Sequence, residues 1–297
     1  MEDKKDLLEA LSGVTRNKET ESETNNTNST FRFYCDSLND ENINNVLGDI
    51  ESQLITLVGF SEVGKSTFVA SLYHKFMANG EINGYKFVDS DTFVGFEKRA
   101  YVRYEVFKTS KRNDRTTMTE GQFLTLTLSK NGKKKLLIIS DNAGEKYKNT
   151  YVDNQEQVNK DKGLINTRHI IFFIDCNVLN DEDEYLDFYD KFQLLLGRMS
   201  RAGVFDIPKT YDIIYNKIDI NNSNEKEETY KKNCIDFEKK LASEFKIKIS
   251  NSFETVSNKM TDEGLAKTFN YIVDLLEEET RVNGKDINWV LTLLKGK

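Results

Sequence analysis

A three-layer α/β architecture, with a mostly parallel sheet carrying one antiparallel hairpin strand, is predicted by three observations. Short apolar, β-branched runs alternate with longer amphipathic segments from Leu54 to about residue 280, the pattern of strands crossing over through helices. Asn131-Gly132 sits between two such runs and marks a tight antiparallel hairpin. A glycine-rich stretch, Gly59 to Thr67, lies directly between the first apolar run and the first amphipathic one, the setting of a strand–loop–helix unit.

Leu54-Ile55-Thr56-Leu57-Val58 forms the first strand, and Ser66 to Met77 has helical character up to Asn79-Gly80, a helix stop. Phe123 to Leu128 and Lys135 to Ile139 are the paired strands of the hairpin. His169 to Asp175 reads as a buried strand. A helix capped by Asn180 follows, with Tyr185, Phe188, Tyr189, Phe192, Leu195, Leu196 and Met199 on one face. Ile213 to Tyr215 makes another strand, 225 to 246 a charged amphipathic helix and Phe253 to Val256 a last short strand. Leu265, Phe269, Ile272, Val273 and Leu276 form the core stripe of a last long helix. Arg99, Tyr101, Arg103, Tyr104 and Phe107 alternate as in an amphipathic strand.

Composition narrows the function. The 297 residues are 38% hydrophobic and 31% charged, with a net charge of −7. This suits a soluble globular chain and argues against a general nucleic-acid coat or an anionic-membrane binder. No apolar run approaches the roughly 20 residues of a transmembrane helix, and the N-terminus lacks a signal-peptide core, so a cytoplasmic location is expected. Three cysteines without C-x-x-C spacing and two histidines make neither a disulfide framework nor a zinc site. Residues 1–30 read as a flexible polar arm, 31–50 as a lead-in, 51–280 as one domain with an insertion at about 80–115, and 281–297 as a C-terminal helix.

Gly59-Phe60-Ser61-Glu62-Val63-Gly64-Lys65-Ser66-Thr67 fits G-x-x-x-x-G-K-[ST]. Its backbone amides and the helix N-terminus make a cradle for phosphates; Lys65 neutralises their charge and Ser66 offers a hydroxyl to magnesium. Glu62 is unusual there, because a carboxylate near phosphates is unfavourable unless it faces solvent or a cation. Asp141-Asn142-Ala143-Gly144 follows an apolar strand, so Asp141 sits at a strand end within reach of magnesium through water. Asn216-Lys217-Ile218-Asp219 completes N-K-x-D. A carboxylate at Asp219 accepts from both guanine N1–H and the exocyclic amine, a pair of donors adenine lacks. Asn216 would bridge loop and base, and the Lys217 stem would lie over the ring. Ser257-Asn258-Lys259 follows a strand and matches S-A-K with asparagine for alanine.

Phosphate loop, D-x-x-G, N-K-x-D and S-x-K in that order resemble the signature set of the P-loop GTPases of the translation-factor and Ras-like class, over about residues 51 to 280. The resemblance implies GTP and GDP as ligands, Mg²⁺, slow hydrolysis, and two switch loops that order around the γ-phosphate. The stretch Gly84 to Glu97 is similar to bacterial GTPases of the double-GTPase type, which implies a role in bacterial conflict or stress systems. The first switch needs a threonine for magnesium, and Thr116 or Thr117 is the choice among Arg115-Thr116-Thr117-Met118-Thr119. Arg115 is either an arginine finger in cis or a solvated loop cation. After Gly144 comes Glu145 where the family often has glutamine, which bears on how the attacking water is held.

Residues 108 to 135 carry eight lysines and arginines against Asp114 and Glu120. They are either a solvated hairpin or a docking face for an acidic partner beside the switches. The reading that results is a GTP-hydrolysing switch whose nucleotide state is read by a protein effector or activator, with residues 99–122 and 144–163 as its nucleotide-sensitive surfaces. Two alternatives stand beside it: a P-loop kinase of a small acceptor, which leaves Asn216 to Asp219 unexplained, and a non-hydrolysing GTP-binding scaffold, suggested by Glu62 and Glu145.

Overall fold

Eight strands form one sheet, in the order β2-β3-β4-β5-β1-β6-β7-β8, in a computed structural model that describes residues 35–39, 43, 51–100, 123–220, 224–259 and 261–277. The central strand β1, Glu51–Val58, is flanked on both sides in parallel by β5, Lys133–Ser140, and β6, His169–Asp175. Its Leu54 to Val58 are all buried, as a strand covered on both faces requires. β7, Thr210–Asn216, and β8, Ile249–Thr255, continue the parallel part.

Three layers follow from the alternation of side chains along β6. Phe172 packs edge-on against Phe192 of helix α6, Glu182–Arg201, at 5.6 Å. Its neighbour Phe173 packs against Phe68 of α1, Lys65–Asn79, at 5.1 Å from the opposite face. Phe269 of α8, Glu263–Asp274, joins Phe68 at 5.1 Å, so α1 and α8 cover one face together. α6 covers the other face beside α7, Asn224–Phe245, through Phe192 and Phe237. Emptying one of these aromatic positions to alanine costs about 3–5 kcal/mol by lost burial and the cavity left behind.

The expected hairpin forms between β4, Phe123–Lys130, and β5, with Asn131 and Gly132 both at positive φ, the turn that matches strand twist. The sequence reading omits two further strands. β2, Glu81–Ile82, and β3, Tyr85–Asp89, extend the sheet beyond β4 through a second turn at Asn83-Gly84. Arg99 lies in helix α2, Phe93–Ala100, rather than in an amphipathic strand; the residues from 101 to 122 that completed that reading lie outside the described ones.

Helix α6 begins one residue later than expected. Asp181, in extended backbone, accepts from the amides of Asp183 and Glu184, while Asn180 closes the preceding short helix α5, Cys176–Leu179. β8 begins four residues before the predicted Phe253, because its start is a polar edge segment without an apolar run. After Gly144 the chain makes a π-helical turn, Lys146–Tyr151, then two short helices, α3, Gln155–Lys160, and α4, Lys162–Asn166. No helix among the described residues is long and apolar enough to cross a membrane.

Candidate functional site

The phosphate loop leaves β1 at Gly59 and enters α1 at Lys65, held from below by its own apolar side chains. Phe60 lies edge-on to Phe188 and Phe192 of α6, each at 5.8 Å, and Val63 is buried. Glu62 is exposed at φ 66°, and Gly64 turns the loop at φ 97°. The exposed Glu62 satisfies the condition that its carboxylate face water. At Gly64 a Cβ would lie 2.2 Å from Asn216 Nδ2, so the loop that carries Asn216 reaches this point only because the residue is glycine.

Lys65 is buried and donates to the carbonyls of Gly59 at 2.6 Å and Phe60 at 3.1 Å. Its ammonium lies 5.7 Å from the centre of the Tyr147 ring. Burial pushes its pKa down to about 8, against the opposing pull of the Asp141 and Glu145 carboxylates. Glu145, half-buried, is therefore electrostatically in touch with the loop lysine. Gly144 packs flat on the loop; a Cβ there would lie 2.3 Å from the Ser61 nitrogen.

Ser66 Oγ donates to Asp141 Oδ2 at 3.1 Å, joining the helix start to the end of β5. The same oxygen takes a hydrogen bond from Arg99 Nε at 2.9 Å. Asp141 is fully buried, and its Oδ1 has no partner among the described residues. A buried carboxylate oxygen without a donor is costly unless a cation or water completes it. With the Ser66 hydroxyl beside it, the set supplies hard oxygen ligands, and no cluster of three or more His, Cys, Asp or Glu stands among the described residues. Such a sparse protein set fits magnesium, which commonly takes one or two protein oxygens and fills its shell with phosphate oxygens and waters. Of the metal residues expected from sequence, Thr116 and Thr117 lie outside the described residues, as does Arg115.

On the far side of the loop, Asn216 is a buried junction. Its Nδ2 donates to the Val63 carbonyl at 2.8 Å, while its Oδ1 accepts from Ser257 N, Ser257 Oγ and Thr255 Oγ1 at 3.0, 2.8 and 3.0 Å. Ser71 Oγ of α1 completes the link by donating to the carbonyls of Ser257 and Thr67. Lys217 stands at φ 67° and pairs with Asp175. Asp219 is exposed and pairs with Lys259 at 3.0 Å; Asn258 is exposed beside it. The four motif segments expected from sequence thus converge at the carboxyl ends of β1, β5, β7 and β8.

Three residues near this convergence have no individual site role in the sequence reading. Arg99 reaches Asp141 from α2. Tyr147 lies over Lys65. Asp161, the N-cap of α4, accepts from Tyr151 Oη and Asn142 Nδ2 and fixes the stretch after Asp141. A signal for the first was present: Phe93, Phe96 and Ala100 recur at helical spacing, which places Arg99 beside a buried face. At the hairpin, Lys130 and Lys135 pair with Glu277, while Lys133 and Lys134 remain near its exposed tip.

The parallel sheet, the phosphate loop and the N-K-x-D loop around Asn216 together define the P-loop GTPase class. A family model described as Double-GTPase 2 matches residues 53–273, and the chain belongs to that family. Membership implies guanine-nucleotide binding. No curated protein matches the chain.

Proposed function

We propose that this protein is a magnesium-dependent, GTP-hydrolysing molecular switch whose nucleotide state is read by a partner protein. The observation that carries the reading is Asn216, which ties the phosphate loop at Val63 to the Ser257 loop and so couples phosphate holding to base reading. A simple phosphate-binding fold has no need of that coupling.

In this reading the amides from Ser61 to Thr67 hold the phosphates, and Lys65 leaves the Gly59 and Phe60 carbonyls to neutralise the β/γ charge. Ser66 and Asp141 would hold magnesium, which would supply positive charge to the phosphate oxygens. Asp219 accepts from guanine, while the Lys217 stem and the Ser257-Asn258-Lys259 loop flank the base. Thr116 or Thr117 would complete the metal side, and Arg115 is either an arginine finger in cis or a solvated loop cation. Gly144 and Glu145 border the attacking water; a carboxylate accepts from that water but cannot donate onward, so intrinsic hydrolysis is slow.

The proposed organisation is a nucleotide domain over 51–280 with an insertion at about 80–115; the arm expected over 1–30 and the C-terminal helix expected over 281–297 lie outside the described residues, as does most of the lead-in expected over 31–50. A cytoplasmic setting and a role in bacterial defence or stress belong to the same proposal. The rival non-hydrolysing scaffold rests on Glu62 and Glu145. Single-turnover hydrolysis of GTP by the purified chain decides between them: GDP formation that requires Lys65 supports the switch, and stable bound GTP over hours supports the scaffold.

A further inference from the structure

We propose that Arg99 is a built-in counter-ion for Asp141 that weakens the hold of the site on magnesium. The inference rests on the reading that Asp141 serves the metal.

Arg99 and Asp141 are both buried, with the ion pair at 2.9 Å. A buried carboxylate without a compensating cation is expensive, and here the compensation comes from the protein. The guanidinium is fixed rather than adaptable. Its Nη1 donates to the Gly95 carbonyl at 3.0 Å, one turn back in α2. α2 is in turn locked onto α1: Tyr73 stacks on Phe96 at 5.0 Å and donates to Glu97 at 2.7 Å. On its other side a Cβ at Gly95 would lie 1.7 Å from the Asp36 carbonyl oxygen. Because α1 also presents Ser66, Arg99 keeps its place relative to the candidate metal oxygens.

The two carboxylate oxygens are used differently. Oδ2 is shared by Ser66 and Arg99, while Oδ1 is buried and without a partner among the described residues. A cation or its water can therefore engage Oδ1 with the ion pair still in place. It meets a carboxylate already paired with the Arg99 guanidinium at 2.9 Å. Removing Arg99 leaves Asp141 positioned by β5 and by Ser66, so the electrostatic change outweighs any loss of geometry. Repulsion between a fixed cation and a divalent ion at this range, in a partly screened interior, is worth on the order of a tenfold change in affinity.

The test uses the full chain loaded with a fluorescent GDP analogue, whose release is followed across buffered free Mg²⁺. Purification in the loaded form lets magnesium supply the missing cation, so neutral variants do not have to survive empty. We expect Arg99→Gln and Arg99→Met to retain nucleotide at about tenfold lower free Mg²⁺ than wild type. Arg99→Lys, which keeps the charge, should stay near wild type. Melting temperature without nucleotide or metal should fall in both neutral variants, while the increment on adding Mg²⁺ and GDP should grow. Unchanged or higher Mg²⁺ requirement in both neutral variants overturns the proposal, provided Asp141→Asn shifts that requirement. If Asp141→Asn leaves it unchanged, the metal role of Asp141 fails and the proposal with it.

Discussion

Asn216 donates to the Val63 carbonyl across 2.8 Å, from the end of β7 to the middle of the phosphate loop. Through its Oδ1 the same side chain holds Ser257 N. Asn216→Ala leaves a buried carbonyl and a buried amide without partners, and buried unsatisfied groups cost about 1–3 kcal/mol each. We expect about 3 kcal/mol of lost stability, together with faster nucleotide release. Urea unfolding without nucleotide and release of a fluorescent GDP analogue measure the two effects. Weakened binding at full stability would mean the residue contacts only ligand.

Lys65→Ala should reduce nucleotide affinity by at least about 100-fold, because a charge-assisted contact to phosphate is replaced by amide dipoles alone. The empty protein should remain folded, since the variant removes a buried cation whose pKa burial already lowers. Isothermal titration with GDP reports the affinity and thermal melting reports the fold. Unchanged affinity would remove Lys65 from the phosphate site.

Acid should destabilise the protein through His169. Burial, with a smaller push from Arg168, lowers its pKa from 6.5 to about 4. Its contribution is present above the unfolded value of 6.5 and is lost as pH falls toward 4, where both states bind the proton. Over that window one group accounts for at most about 3 kcal/mol. Urea midpoints measured from pH 7.5 to 5 should fall, and His169→Gln should flatten the slope. Equal slopes in the two proteins would assign the acid sensitivity to other groups.

Hydrolysis should be slow without a partner. If Arg115 is a cis finger, Arg115→Ala lowers the single-turnover rate by about 10³-fold at little cost in GTP affinity. Glu145→Gln should raise the rate, since an amide both accepts from the water and donates to the γ-phosphate. A wild-type rate above about 1 s⁻¹, matched by Arg115→Ala, would contradict both the slow switch and the finger.

The elements that were legible carried their signal locally. β1, β6 and α6 announce themselves by unbroken apolar runs or a stripe at helical spacing. Asn131-Gly132 declared its hairpin. Asn83-Gly84 carries the same turn chemistry, yet β2 is only two residues long and offers no alternation to read. Asn180 and Asp181 are equally good caps by type, and extended backbone at Asp181 decided between them. At the site, the phosphate loop and N-K-x-D are visible because each packs its chemistry into a few consecutive residues. The Arg99–Asp141 pair spans 42 positions and forms only because Tyr73 and Phe96 dock α2 on α1. Nor does any local rule foretell the π-helical turn that brings Tyr147 over Lys65.

Guanine reading at Asp219 is the claim on which the functional account most depends. The direct measurement is competition of GDP, ADP and xanthosine diphosphate against a fluorescent GDP analogue, in wild type and Asp219→Asn, at saturating magnesium. The account predicts that wild type prefers GDP over ADP by at least about 100-fold, a size expected where a carboxylate that accepts two donors from guanine meets a base that lacks them. It predicts that Asp219→Asn shifts preference toward xanthine, whose ring carbonyl accepts from the new amide. Equal affinity for GDP and ADP in wild type, or an undiminished GDP preference in Asp219→Asn, would contradict it.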